Sequence, residues 1–216
     1  REPVLLIKRA WGGKSLAVDF RPPSAGGKTG PFYTELVDGT RQALARIAQD
    51  FPELQDATPE LCGVGWHQGW NDRVNQAFND EYEKNLACLI RDLRRDLGVE
   101  RLPFVVAETG MNGPSETHPR ALSLMRAQAA VAQVPEFQGN VAFVGTRAFW
   151  RAPEDSPTGQ GYHWNTNAET YYLIGEAMGQ AMRQLLRAPG ARRATGKPRR
   201  SANGKLNIAF IGSGGW

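Results

Sequence analysis

Apolar residues along the chain fall into two kinds of run. VLLI (4–7), LCGVGW (61–66), PFVVAE (103–108) and NVAFVG (140–145) are short, continuous and bounded by Gly or Pro, the pattern of strands buried on both faces of a parallel sheet. Between them, FYTELVDGTRQALARIAQDF, DEYEKNLACLIRDLRRDL and ETHPRALSLMRAQAAVAQV place apolar residues three and four apart. Leu86, Leu89, Ile90, Leu93 and Leu97 form one such stripe, the signature of an amphipathic helix. A last helix is predicted over 168–186, with Asn165 or Asn167 as its N-cap. Strand alternating with helix predicts an α/β fold: a three-layer α/β/α sandwich around a mainly parallel sheet, with right-handed crossovers. The sequence contains no internal repeat.

Sheets of this kind carry their chemistry beyond the carboxyl ends of the strands, and polar segments stand at those places here. AWGGKS (10–15) follows the first apolar run, but Lys8 lies where a phosphate-binding loop needs its first glycine, and Pro22 does the same for the later AGGKTG. Gly12 and Gly13 therefore read as a turn, or as a close approach of backbone to ligand. WHQGWND (66–72) ends the second run in amides, which are costly to bury unless something hydrogen-bonds to them. Asn71 either directs its N–H₂ at a developing oxyanion, or Asn71 and Asp72 make a turn that caps the next helix. His163, in YHWN ahead of the last helix, suits a general base at an open cleft, or is a plain loop histidine. His67 reads as structural and His118 as a surface residue. Three scattered histidines give no metal-ligand spacing, and Cys62 and Cys88 read as buried free thiols.

Composition adds bounds. A chain of 216 residues, 41% hydrophobic and 22% charged, has enough apolar material for one main globular domain. The net charge of +4 is misleading, because seven Lys or Arg and no acid fall between Arg187 and Lys205, which leaves the rest of the chain acidic. That Gly-, Pro- and Arg-rich stretch reads as a solvated linker, so neither nucleic acid nor membrane is an expected partner. No apolar run approaches the roughly 18 residues of a membrane span, and VLLIK after Arg1 is too short for a signal peptide.

AWGGKSLAVDFRPPS, GVGWHQGWND and GYHWNTNAETYYLIGEAM, in that order at strand ends, resemble the SGNH hydrolases, and within them the sialate O-acetylesterase-like (SASA) carbohydrate esterases, over about residues 4–186. The resemblance implies a Ser-His mechanism on an acetylated carbohydrate, with water as second substrate and neither cofactor nor metal. It assigns His163 as the base and Asn71, Gly12 and Gly13 to the oxyanion hole, with Gln68 in support. Trp11, Trp66, Trp70, Trp164 and Glu108 would line the substrate cleft. An aspartate often stands three residues before the histidine in this family, and here that position is Gln160. The orienting partner is then Glu154, Asp155 or a backbone carbonyl. The family's serine block should precede VLLIK, so the expectation is a sheet lacking its N-terminal strand and nucleophile, inactive as it stands.

KLNIAFIGSGGW at the other end resembles the first strand and opening glycines of the Rossmann domain of glucose-fructose oxidoreductase-like dehydrogenases. The third glycine, the helix and the ribose-binding acid are missing, so no dinucleotide is expected to bind. The expected organisation is an esterase-like domain over 1–186, a linker over 187–205 and the start of a Rossmann domain over 206–216. Two other readings stay open: a non-catalytic carbohydrate-binding module, and the N-terminal part of an esterase–dehydrogenase fusion.

Overall fold

The computed structural model describes residues 4–188 and, at the level of the backbone, 205–214; the predicted linker lies almost wholly outside the described residues. Five strands form one sheet: β1 (Val4–Trp11), β2 (Thr58–His67), β3 (Phe104–Ala107), β4 (Val141–Val144) and β5 (Lys205–Gly214). Their order is β1-β5-β2-β3-β4, and every neighbouring pair is parallel. All four apolar runs of the sequence are strands of this sheet, as the pattern predicts. The helices are α1 (Pro31–Ala45), α2 (Ile47–Asp50), α3 (Trp70–Val74), α4 (Gln76–Asp96), α5 (Pro119–Val131) and α6 (Ala168–Arg187).

Two apolar layers explain why the sheet is buried. On one face Phe104 and Val106 of β3 and Val64 and Trp66 of β2 pack with Leu36 of α1, Tyr82, Leu86, Leu89 and Leu93 of α4, and Leu124 of α5. On the other, Val105 and Ala107 of β3 and Val144 of β4 pack with Ile174, Met178 and Leu185 of α6. The alternation along FVVA thus supplies both layers from one strand. The helices start where the chain provides caps. The Asn75 side chain accepts the Ala77 N–H at the head of α4, and Asn167 accepts that of Thr170 at the head of α6. His118 is exposed and does the same for α5, accepting from Arg120 N–H through Nδ1. Cys62 and Cys88 are buried free thiols.

One expectation needs correction. The first run is not buried on both faces, since Val4 and Leu6 are 63% and 60% exposed while Ile7 is buried. They share one face of β1, and α6, which covers that side of the sheet, packs on β2, β3 and β4. Residues 205–214 form β5 in the middle of this sheet, paired with β1 on one edge and β2 on the other. Among the described residues no helix is long and apolar enough to cross a membrane.

Candidate active site

The turn after β1 and the turn after β2 are built as one unit. Gly13 has φ +66°, the left-handed conformation that an L side chain resists, so glycine is required there by the turn itself. Asn71 Nδ2 donates to the carbonyl of Gly13, which ties the two loops together at the carboxyl edge of the sheet. Next to it, the fully buried carboxylate of Asp72 accepts the N–H of Leu16 (2.8 Å) and of Ala17 (2.9 Å). Burial raises the pKa of Asp72 to about 6, and the bonds from Gln68, Leu16 and Ala17 offset part of that rise. Asp72 is thus an anchor for the glycine loop: it lies inside α3, and the following helix α4 is capped by Asn75.

Gln68 belongs to the same anchor. It is buried, and its Nε2 donates to the Lys14 carbonyl (3.0 Å) and to Asp72 Oδ2 (2.6 Å). Its own carbonyl accepts from Tyr82 Oη (2.7 Å) on α4 and from Gln128 Nε2 (3.0 Å) on α5, and Gln128 Oε1 also accepts the Thr109 N–H after β3. At Gly69 an added Cβ would lie 2.7 Å from Thr109 Cγ2 and 2.8 Å from Leu124 Cδ2, so the turn passes through a gap only glycine fits. Tyr82 and Gln128 are site-building residues that the sequence reading missed. Their signal was a polar side chain inside an apolar helical stripe: Tyr82 with Leu86 and Leu89, and Gln128 between Leu124 and Val131.

His163 reaches this edge through an aromatic bridge. Its ring lies 4.4 Å from that of Tyr162, which in turn lies 5.8 Å from Trp70, the neighbour of Asn71. The histidine is part-exposed, and its backbone is held by its N–H donating to Gln160 O (2.8 Å) and by Tyr171 Oη donating to its carbonyl (2.8 Å). Directly after it, Trp164, Asn165 and Thr166 all have positive φ (52°, 54° and 56°), a run of left-handed non-glycine residues. Such strain persists only where surrounding bonds over-determine it. Here Asn165 Nδ2 donates to Arg151 O (3.0 Å), the Thr158 N–H donates to Asn165 O (3.2 Å), and the Thr158 and Thr166 hydroxyls lie 2.6 Å apart.

A family model described as carbohydrate esterase, sialic acid-specific acetylesterase, matches residues 1–184. The chain belongs to that family. A protein of Arabidopsis thaliana with a solved crystal structure is similar to it at 17% identity and a TM-score of 0.47, over 77% of this chain and 58% of its own. The chain thus spans under two thirds of that relative. No curated protein matches it in sequence.

As a member of the acetylesterase family, the chain distributes its predicted cleft residues unevenly. Gly12 and Gly13 lie in the turn after β1, Trp70 and Asn71 open α3 after β2, and His163 lies ahead of α6. Trp66 faces the core: it is 1% exposed, edge-on to Phe20 at 5.3 Å, and its Nε1 donates to Tyr82 Oη (3.3 Å). β2 runs on to His67, and the strand's alternation sends residue 66 into the α1–α4 layer. Trp164 is 2% exposed and packs against His67 and Trp150, each ring 6.0 Å away. Trp11 packs on Phe32 (4.8 Å) and Phe20 (5.8 Å) and joins the core. Glu108 does not line the cleft either, because its Oε2 accepts the Thr146 N–H (2.8 Å) and Arg147 N–H (3.2 Å) and so ties β3 to the turn after β4. Glu154 and Asp155 are exposed, and among the described hydrogen bonds none joins either carboxylate to His163. Burial pushes His67 down to about 4, which keeps it neutral as a structural histidine.

Proposed function

We propose that this edge hydrolyses acetyl esters on a carbohydrate by a Ser-His mechanism. The observation that supports it best is the bond from Asn71 to the Gly13 carbonyl. A primary amide has two N–H groups, and using one on Gly13 fixes the amide while leaving the second for a ligand. That second N–H and the backbone N–H groups of the Gly12–Gly13 turn can meet the oxyanion of a tetrahedral intermediate, a preorganised donor set of the kind that dominates acyl-transfer catalysis. His163, part-exposed beside Tyr162 and Trp70, is the base that takes a serine proton and returns it to the sugar oxygen. Trp70 and Tyr162 offer the apolar face on which a sugar ring can lie. Among the described hydrogen bonds neither Glu154 nor Asp155 joins the imidazole, which favours a Ser-His dyad.

The non-catalytic binding-module reading draws less support, because two of the four tryptophans it relies on, Trp66 and Trp164, are buried in the core. The test is binding and turnover together. An O-acetylated hexose is titrated into the protein and followed by ligand-observed NMR, and acetate release is measured in parallel. Binding that weakens in Trp70→Ala, with turnover that falls in Asn71→Ala and His163→Ala, is the expected result. No binding of any acetylated sugar would overturn the reading.

A further inference from the structure

A second buried carboxylate stands apart from the anchor around Asp72. Glu116 follows the short turn after β3, its side chain is 3% exposed, and both of its oxygens are engaged. Oε1 accepts the His118 N–H (2.7 Å) at the head of α5, while Oε2 accepts Asn112 Nδ2 (3.1 Å) and lies 3.3 Å from Arg73 Nη2. Burying a carboxylate is costly unless it is paired and hydrogen-bonded, so breaking any of these contacts is opposed.

Arg73 connects this carboxylate to the cleft. It stands three residues after Trp70 on α3, a spacing that puts the two on one helix face, and its guanidinium lies 4.2 Å from the centre of the indole ring. Its side chain is only 14% exposed. α3 has five residues and no side-chain cap, so it is too short to fix these side chains by itself. The ion pair with Glu116 does so from outside the helix, and a guanidinium on one face of Trp70 leaves the other face for a flat ring. Asn112, at φ 66°, carries the link onward: a Cβ added at Gly161, two residues before His163, would lie 3.8 Å from Asn112 Oδ1. The loop after β3, the helix α3 and the segment ahead of α6 thus meet around one carboxylate.

We propose that Glu116 is a positioning residue for the carbohydrate: by holding Arg73 against one face of Trp70, it pre-forms the platform on which the sugar ring lies. The proposal rests on the esterase reading above and deepens it. A platform ordered before the ligand arrives removes the entropy cost of ordering it on binding, so Glu116 acts on affinity through the indole.

A thermodynamic cycle on the whole chain tests this. The probe is an O-acetylated hexose, and its Kd is read by ligand-observed NMR at a temperature where near-UV circular dichroism shows each variant folded. Glu116→Gln and Arg73→Gln should each raise Kd about fivefold, the order expected when one side chain is ordered on binding instead of beforehand. In a Trp70→Ala background the same two substitutions should change Kd less than about twofold, because their effect passes through the indole. The Trp70 indole N–H signal, identified by its loss in Trp70→Ala, should shift in both single variants. Should Glu116→Gln fail to fold, Arg73→Gln carries the cycle alone. Parent-like Kd in the single variants, an unmoved Trp70 signal, or the same fivefold loss in the Trp70→Ala background overturns the positioning role, and sugar binding by the parent then leaves the esterase reading standing. If the parent protein binds no acetylated hexose, that reading falls and the positioning role falls with it.

Discussion

Asp72 Oδ2 lies 2.8 Å from the amide nitrogen of Leu16, a residue 56 positions earlier in the chain. This bond and its companion to Ala17 hold the backbone just beyond the glycine turn, and the preceding residue, Asn71, bonds to the turn itself. Asp72 therefore fixes the position of Gly13 relative to Asn71.

Replacing Asp72 by Asn should show this. The carboxylate accepts three bonds on two oxygens, whereas an amide offers one acceptor and would turn an N–H₂ toward one of the backbone donors. The expected loss is about 1–3 kcal/mol of stability, a fall in melting temperature of roughly 2–4 °C for each kcal/mol. Activity should drop mainly in kcat, with KM little changed. A variant of full activity with a lowered melting temperature would show that the anchor serves stability alone.

The same residue sets up a compensation in pH dependence. Asp72 has its pKa raised to about 6, so the stability it contributes is complete below about 4 and is lost as pH rises through 6. His67 has its pKa lowered to about 4, so its contribution is complete above about 6.5 and is lost as pH falls through 4. Across the interval from 4 to 6 the two slopes oppose each other. Urea unfolding midpoints of the parent protein should change little from these two groups over that range. In His67→Gln the midpoint should fall as pH rises from 4 to 6, and in Asp72→Asn it should rise. Slopes of the same sign in both variants would refute the assignment.

Much of the fold was legible because apolar runs and helical stripes are local signals. Four strands and the helices over 76–96, 119–131 and 168–187 follow from them, and the GxND turn and the glycine turn announced themselves by their polar residues at strand ends. What could not be read depends on tertiary choices. Trp66 and Trp70 look equivalent in WHQGWND, but the end of β2 at His67 puts one in the core by strand parity and leaves the other part-exposed at the head of α3. Asp72 could be a helix cap on local grounds, and only Leu16 and Ala17, far away in sequence, show otherwise. Pairing of β5 between β1 and β2 is set by two long-range ladders, for which KLNIAFIG alone carries no register.

The two tryptophans give a direct contrast. Trp66→Ala removes a fully buried indole and its bond to Tyr82, and should destabilise by about 3–5 kcal/mol with aggregation on expression. Trp70→Ala removes a part-exposed ring stacked between Arg73 (4.2 Å to the ring centre) and Tyr162. It should leave the melting temperature within a few degrees and raise KM for the acetylated sugar several-fold. Thermal denaturation and steady-state kinetics on the two variants check this, and equal destabilisation by both would remove Trp70 from the cleft.

Glu108 provides the last discrimination, between an acid that meets substrate and one that holds the scaffold. Its Oε2 accepts from both Thr146 and Arg147 backbone N–H groups, and its carbonyl accepts the Thr146 hydroxyl at 2.8 Å. Glutamine keeps a single oxygen able to accept both N–H bonds, so Glu108→Gln should retain nearly full kcat and lose about 1 kcal/mol, the difference between a charge-assisted and a neutral bond. Glu108→Ala leaves the buried Thr146 N–H and the part-buried Arg147 N–H without their acceptor and should cost roughly 1–3 kcal/mol for the first and less for the second, most of it recovered in the glutamine variant. The measurement is a urea midpoint for each variant beside kcat on an acetylated sugar. A hundredfold fall in kcat in Glu108→Gln at unchanged stability would instead place the carboxylate in the reaction.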